Sequence, residues 1–278
     1  HWAFIKISRP ALPNVQNPDW AQNAIDRFVL SMAERQGVMP APAASRRTLI
    51  RRLTFDLLGV PPSMEEVSAF ESADGSNAYE QLVERLLSDP RFGERWGRHW
   101  LDLARYADSS GYEADRPRKI WHYRDWVIDA LNQDQPVSEF VIEQFGGDLL
   151  PQATDESRVA TGFHCNAMLD PGVRHEAVLD RGNVTGSVFL GLTLGCAQCH
   201  DHKTDPVTQK EYYQLYAFFN GASAYPLDLS SEELKEQRQK LNDQITEINQ
   251  QITAIDQQIK DELNRLVEQQ VQDLSGVA

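Results

Sequence analysis

The sequence predicts an all-α fold, an irregular helical domain followed by a long coiled-coil-type helix. Three observations support this prediction. Helix-capping signals recur along the 278 residues, the alternating pattern of strands is nearly missing, and residues 230–273 contain neither glycine nor proline. We therefore expect two parts, a helical domain over residues 1–228 and a single helix or arm over residues 229–275.

The first helices are predicted from their caps. Asn17, which a proline follows, is a candidate N-cap for a first helix. Ser45 and Gly59 bracket a second helix, and Ser63 with Glu66 forms a capping box for a third. The apolar stripe expected on the first helix consists of Ile25, Phe28, Val29 and Met32.

The remaining helices of the domain follow the same signals. A helical pattern over residues 79–109 is broken near Asp89, before a proline, and predicts two helices. Thr208 and Glu211 form a capping box for the last helix of the domain, which is expected to end at Gly221. Between these lie three further helical stretches, at residues 120–132, 137–145 and 176–194.

The arm carries a regular apolar repeat. The spacing is 4-3-4-3-4, the alternation of the a and d positions of a coiled coil. Leu263 follows four residues after the repeat instead of three, a stutter that locally relaxes the supercoil. The arm is expected to pair with a partner helix in cis or in trans, or else to lie on its own domain as an amphipathic helix. The repeat consists of Leu241, Ile245, Ile248, Ile252, Ile255 and Ile259.

Charge and hydropathy argue against two classes of partner. The formal net charge is −14, and the short basic clusters "SRRTLIRR" and "RPRK" do not form a stripe, so no nucleic-acid partner is expected. The longest charge-free stretch near the cysteines, residues 182–199, is short and is interrupted by Gly, Thr and Asn. We therefore expect a buried core helix there and no membrane span in this segment.

The run "CAQCHDH", residues 196–202, carries the strongest chemical signal. Cys-x-x-Cys-His is the attachment signature of c-type haem. Two intervening residues let Cys196 and Cys199 reach adjacent edges of one porphyrin, while His200 falls beneath the iron as the proximal ligand. His202 is too close in sequence to reach the opposite face, and we expect it to hydrogen-bond a propionate or a backbone carbonyl. The predicted cofactor is one covalently bound haem c.

Two other interpretations of the same cysteines stay open. A zinc site would need two further ligands, and the one remaining cysteine is Cys165, which is adjacent to His164. A thioredoxin-like dithiol would need a βαβ context, whereas the surroundings of Cys196 and Cys199 are predicted to be helical.

The second axial position of the iron decides between electron transfer and small-molecule chemistry. Three residues are candidates, His99 first, then His164, then Met168. His99 lies in an aromatic-rich helical stretch, where Asp102 or Asp180 is a candidate for orienting its ring. The alternative for each histidine is a packed residue of the core.

Several long blocks closely resemble the planctomycete-type cytochrome C domain family, over about residues 1–222. Among them are "ERWGRHWLDLARYADSSGYEADRPRKIWHYRDWVIDALNQDQPVSEFVIEQFGGDLLP", "ATGFHCNAM" and "GLTLGCAQCHDHKTDPVTQKEYYQLYAFFNG". The resemblance implies a secreted or periplasmic protein of undefined physiological role, often with further domains upstream and downstream. This chain departs from the pattern at Cys165, where relatives tend to have an arginine, and in a shorter loop after it.

The sequence as a whole favours a c-type haem electron-transfer domain of a larger exported multidomain protein. Its expected location is periplasmic or extracellular, and its expected partner is a redox protein or an adjacent haem domain. A second hypothesis is a haem enzyme with an open distal site, acting in peroxide or oxidative polysaccharide chemistry with Arg105 and His99 as acid/base groups. A third is a non-redox interaction module with a structural zinc or haem site. Whether the chain is an enzyme is left open.

Overall fold

The computed structural model describes residues 2–111, 115–166 and 173–275. Within these residues the secondary structure is helical, with one isolated antiparallel bridge between Ser109 and Pro117 and no β-strand. The prediction of an all-α fold is confirmed. The α-helices are α1 Ala24–Arg35, α2 Arg46–Leu58, α3 Met64–Ser72, α4 Ala78–Leu87, α5 Arg91–Leu103, α6 Trp121–Asn132, α7 Val137–Gly146, α8 Asp155–Ala160, α9 Arg174–Thr185, α10 Gln209–Asn220 and α11 Glu232–Ser275.

Capping side chains begin several helices where the sequence predicts them. Ser63 Oγ accepts a hydrogen bond from the Glu66 backbone N–H, and the Glu66 carboxylate accepts one from the Ser63 N–H. Thr208 and Glu211 form the same reciprocal pair at the start of α10. Each cap satisfies amide donors that have no partner inside the helix and stabilises its helix by about 1 kcal/mol.

Helix α1 differs from its prediction in both its start and its buried face. It begins at Ala24, because Asn23 and Asp26 form a capping box that competes successfully with Asn17. Asn17 instead precedes a short 3-10 turn and donates its backbone N–H to Glu34. The residues buried on α1 are Leu30 and Ser31. The expected apolar stripe, Ile25, Phe28, Val29 and Met32, is exposed.

The chain forms two compact units, and the first comprises His1–Leu103 and Val127–Gln135. Helices α2, α3 and α4 enclose its apolar core, in which the side chains of Ile50, Phe70 and Leu86 are buried. Helix α5 approaches the last turns of α6 closely at Gly93, where a Cβ would overlap the carbonyl oxygen of Ile128. A side chain at this position would therefore push the two helices apart.

The second unit comprises Ala104–Trp126 and Pro136–Ala278. The first turns of α6 pack against α7 in this unit: the Tyr123 hydroxyl donates to Oε1 of Gln144 at 2.8 Å, and the Trp126 ring stacks on Phe140 with centroids 5.0 Å apart. Helices α9 and α10 pack against each other and hold the cysteine motif. This unit therefore contains Cys196, Cys199 and His200.

Helix α11 runs for 44 residues at the end of the described chain. Its repeat of leucine and isoleucine is exposed. Within the described residues, no helix combines the length and the apolar character needed to cross a bilayer.

Candidate functional site

The two cysteines of the motif share one face of a 3-10 turn. We call Leu194–Gln198 together with Cys199 and His200 the motif turn. A 3-10 helix has three residues per turn, so side chains three apart point the same way. Leu194 and Ala197 point inward and pack with Tyr212, while Cys196 and Cys199 point outward as exposed free thiols.

The motif turn is a 3-10 turn, not the end of a long helix, because the preceding helix stops short of it. Helix α9 ends at Thr185, continues as one π-helical turn, Gly186–Leu190, and is terminated at Gly191, which has a φ of +64°. The predicted helix to Leu194, with a buried core helix reaching the cysteines, is therefore wrong. Glycine adopts this left-handed conformation without the steric cost that a Cβ brings.

Three hydrogen bonds hold the motif turn and the following Asp201 against α10. The carbonyl oxygen of Gln198 accepts hydrogen bonds from Gln209 Nε2 and from the Tyr213 hydroxyl, each at 3.1 Å. The Asp201 carboxylate accepts the backbone N–H of Gln209 at 2.8 Å. The backbone between the two cysteines and the residue after His200 are thus both bonded to the first two turns of α10, which fixes the outward direction of the thiols.

His200 is exposed, and its ring is oriented by the backbone. Its Nδ1 lies 2.7 Å from the carbonyl oxygen of Asp201. A carbonyl only accepts, so Nδ1 carries the proton and donates, and in the neutral ring Nε2 keeps its lone pair. A backbone carbonyl that receives the second ring N–H is the arrangement found behind many metal-bound histidines.

His202 has a different role. Its side chain is 7% exposed, and Nδ1 accepts backbone hydrogen bonds from Asp205 at 2.9 Å and from Thr204 at 3.3 Å. Because Nδ1 accepts, the proton of the neutral ring is on Nε2. The Asp205 carboxylate oxygen 3.3 Å from Nδ1 is a second acceptor beside it and forms no ion pair with a neutral ring. His202 therefore organises the loop after the motif turn and keeps one N–H donor at Nε2.

The structure places the candidates for the second axial position in different parts of the chain. His99 is exposed on α5 in the first unit, with its ring centroid 5.6 Å from that of Trp96. Asp102 is exposed on the same helix. Asp180 accepts two hydrogen bonds of 2.7 Å from Arg105, in the second unit, so its carboxylate is already paired. Met168 lies outside the described residues.

His164 lies in the second unit, surrounded by phenylalanine rings that we call the phenylalanine cluster. Neither ring nitrogen has a hydrogen-bond partner among the described residues, although both are buried. Burial, reinforced by the charge of Arg181, lowers the pKa of His164 to about 4, so the ring is neutral at pH 7. The cluster consists of Phe145, Phe163 and Phe219, whose centroids lie 5.1 to 5.2 Å from that of His164, and Phe189, which contacts Phe145 and Phe163.

Two arginines that the sequence analysis did not single out as anchors hold the backbone of this histidine. Arg181 donates through Nε to the His164 carbonyl, and Arg118 donates through Nη1 to the Cys165 carbonyl at 2.9 Å. Burial raises the pKa of the Cys165 thiol, against the lowering effect of both arginines, so it stays protonated. No local sequence signal pairs residues 47 positions apart, as Arg118 and Cys165 are.

We expect the haem-free protein to lose stability as the pH falls from 7 to 4, partly through His164. The unfolded ring takes up a proton below its ordinary pKa of 6.5, whereas the folded ring does so only near 4. Stability present above pH 6.5 is therefore lost on acidification, by on the order of 3 kcal/mol for this group. Urea unfolding at pH 7 and pH 4 should show that His164→Phe loses less free energy of unfolding on acidification than the wild type. The exposed-site control His175→Phe should lose as much as the wild type. Equal losses of free energy of unfolding in all three proteins would contradict the lowered pKa of His164.

The donor set of the motif turn fits a c-type haem. It supplies two outward thiols three residues apart and an exposed histidine whose Nε2 lone pair is free for a metal. It fits a zinc site less well, because the tautomer of His202 directs N–H, not a lone pair, from Nε2. Within the described residues, no three His, Cys, Asp or Glu side chains are grouped so that they could hold a metal ion.

Comparison with known proteins gives one family. Residues 24–224 match PSCyt2, which is described as a protein of unknown function (DUF1549). No curated protein and no solved structure matches the chain. The resemblance to the planctomycete-type cytochrome C domain family is wrong, since the matching family has no known function and no cytochrome c family matches. The match covers well over half of the 278 residues, and the chain therefore belongs to the PSCyt2 family of proteins of unknown function.

Proposed function

We propose that this chain is a c-type haem electron-transfer domain, with one haem bound covalently at Cys196 and Cys199 and His200 as its proximal ligand. The observation that carries the proposal is the motif turn itself, where both thiols share the outward face beside a histidine with a fixed tautomer. The proposal rests on these residues and their geometry, not on family membership.

The chain's own groups supply each part of the attachment. Cys196 and Cys199 would hold the haem by adding their S–H groups across its two vinyl groups, with the sulfur bonding to one vinyl carbon and the hydrogen passing to the other. Leu194 and Ala197 hold the turn in the apolar core, which keeps the two sulfurs outward. His202 has an N–H at Nε2 that suits a propionate oxygen. When bound, the haem supplies an iron that cycles between two oxidation states.

We propose that His164 would supply the second protein ligand of the iron. It is in the same unit as the motif turn, it is neutral at pH 7, and its buried ring nitrogens have no partner in the described chain. An unsatisfied buried polar group costs about 1–3 kcal/mol, and its persistence points to a missing partner.

A chain of contacts leads from the phenylalanine cluster towards the cysteines. Phe189, in the cluster, belongs to the π-helical turn that begins at Gly186. Gly186 packs against Leu194 at the start of the motif turn. The π-helical turn therefore connects the phenylalanine cluster with the motif turn, which supports the proposal that His164 and the motif turn serve the same cofactor.

We expect His164→Ala to convert a low-spin ferric haem into a high-spin one, because it removes the sixth ligand. His99→Ala is the matched control, and its visible and electron paramagnetic resonance spectra should equal those of the wild type. Low-spin spectra for the His164 variant combined with altered spectra for the His99 variant would overturn the assignment in favour of His99. That result would leave the covalent attachment itself untouched.

The proposal includes export and a redox partner. Haem c is attached on the outer side of the cytoplasmic membrane, so we propose a periplasmic or extracellular location, within a larger multidomain protein that holds or meets another redox centre. Two further hypotheses, a haem enzyme and a structural zinc or haem module, stay predictions. Arg105 is an acid/base candidate of the enzyme hypothesis, but its guanidinium donates two hydrogen bonds to Asp180. This pairing favours the electron-transfer hypothesis over the enzyme hypothesis.

The proposal is tested by producing the chain with and without a haem c maturation system. We expect the matured protein to give a pyridine haemochrome spectrum with the band of two thioether links, and to keep its haem after acid–acetone extraction. The protein made without maturation is the control and should give no such band. Haem that is fully extracted from the matured protein, or purification with stoichiometric zinc and no Soret band, would overturn the proposal.

A further inference from the structure

Helix α11 carries a continuous apolar face that no described part of the chain covers. Its core positions recur with the 4-3-4-3-4 spacing, which places them along one side of the helix. From Leu241 to Leu263 this face extends for about 33 Å at 1.5 Å per residue. The side chains that form it, each 51–60% exposed, are Leu241, Ile245, Ile248, Ile252, Ile255, Ile259 and Leu263.

The composition of α11 does not favour a helix that stands alone. Its middle contains several Ile and Thr residues, and β-branched residues lose side-chain freedom in a helix. Thr246 and Thr253 bond their hydroxyls to carbonyls one turn earlier, which satisfies them inside the helix without adding tertiary stability. Long helices of this kind owe most of their stability to packing of an apolar face.

The residues that flank the apolar face indicate which helix can pack against it. In a coiled coil the e and g positions face the partner, and charges there select one partner over another. With Ile245 at a and Ile248 at d, five of the six flanking side chains are neutral amides. Two copies of α11 would therefore meet without like-charge repulsion, despite the net charge of −14. The flanking residues are Asn242, Gln244, Asn249, Gln251, Asp256 and Gln258.

We propose that α11 associates with α11 of further copies of this chain, so that the protein is a homo-oligomer held by this helix. The isoleucines at both a and d positions favour three or four strands over two. Two of the acidic residues are directed away from the seam formed by the a and d positions: Glu247 lies at a c position and Asp243 at an f position. The proposal is independent of the haem, since the apolar face lies outside the motif turn and the phenylalanine cluster.

The test is sedimentation equilibrium of the full chain, prepared without haem and under reducing conditions. We expect a mass of at least twice the 31.5 kDa of one chain. Ile248→Asp/Ile252→Asp places charges in the seam and should reduce the mass to that of one chain. The matched control Thr246→Asp/Gln250→Asp adds the same two charges at b and f positions and should keep the wild-type mass.

Thermal unfolding gives a second readout that does not depend on how the seam variant folds. For the wild type and the control, the midpoint of the helical circular dichroism signal should rise with protein concentration, because association stabilises the folded helix. A wild-type chain that stays at one chain mass, with a midpoint independent of concentration, would overturn the proposal. The face would then belong to another segment of a longer protein or to a different partner.

Discussion

Replacing both Cys196 and Cys199 by serine should abolish covalent haem attachment. Their thiols are the two free and exposed ones in the chain, and they share the outward face of the motif turn. Without them no thioether bond can form, although His200 still presents its Nε2 lone pair. The measurement is a haem stain of the denatured protein after gel electrophoresis, which we expect to be lost completely for the double variant.

Cys165→Ser is the matched control for this experiment. Its thiol is largely buried, and burial raises its pKa, so it is neither exposed nor ionised for addition. The stain of this variant should equal that of the wild type. Single replacement of Cys196 or Cys199 should leave one thioether and shift the haemochrome band. Full staining of the double variant, or its loss in the Cys165 variant, would contradict the assignment of the thiols.

The second large effect is expected for Gly186→Ala, which alters the packing beneath the motif turn. A Cβ at Gly186 would lie 2.5 Å from Cδ1 of Leu194 and closer still to its Cγ. Leu194 is buried, so it cannot move aside freely, and such overpacking costs about 1–3 kcal/mol. We expect the free energy of unfolding in urea to fall by this amount, together with the yield of attached haem.

Gly182→Ala provides the control one turn earlier in α9. A Cβ at Gly182 meets nothing within 4 Å, so alanine should be neutral there or stabilise the helix by up to about 1 kcal/mol. A second variant, Gly186→Ala/Leu194→Ala, removes the colliding side chain and should lose less haem yield than Gly186→Ala alone. If Gly186→Ala were as stable as the wild type, the packing account of the motif turn would be wrong.

Interactions between residues close in sequence determine where many of the helices begin and end. The caps at Ser45, Ser63 and Thr208 begin helices because the relevant donors and acceptors are three residues apart. The break near Asp89 is equally local, since a proline lacks the N–H that a continuing helix needs. These elements depend on short-range chemistry, and their predictions are confirmed.

The predicted start of α1 and the predicted end of α9 were wrong for physical reasons that the sequence pattern alone does not reveal. Asn17 and Asn23 both have the chemistry of an N-cap, and Asn23 prevails because Asp26 completes a reciprocal box with it. The end of α9 depends on the left-handed backbone of Gly191. The α-helical pattern, with a period of 3.6 residues, therefore predicted that the cysteines follow a continuous helix. They lie instead in a 3-10 turn, which has three residues per turn.

The candidate site was predicted in its chemistry but not in its surroundings. The spacing of Cys196, Cys199 and His200 indicated a haem signature, whereas the contact of Asp201 with His200 and of Arg118 with Cys165 required the folded chain. The order of the axial candidates also changed for this reason, since burial of His164 follows from rings contributed by distant parts of the sequence. The predicted domain boundary at residue 228 stays a prediction.

The central claim is that one haem is joined to the motif turn through Cys196 and Cys199. Mass spectrometry of the matured chain tests it most directly, first on the intact protein and then on its proteolytic peptides. We expect the intact mass to exceed the sequence mass by one haem, carried entirely by the peptide that contains residues 196–200. An unmodified intact mass, or a haem located on any other peptide, would contradict the account.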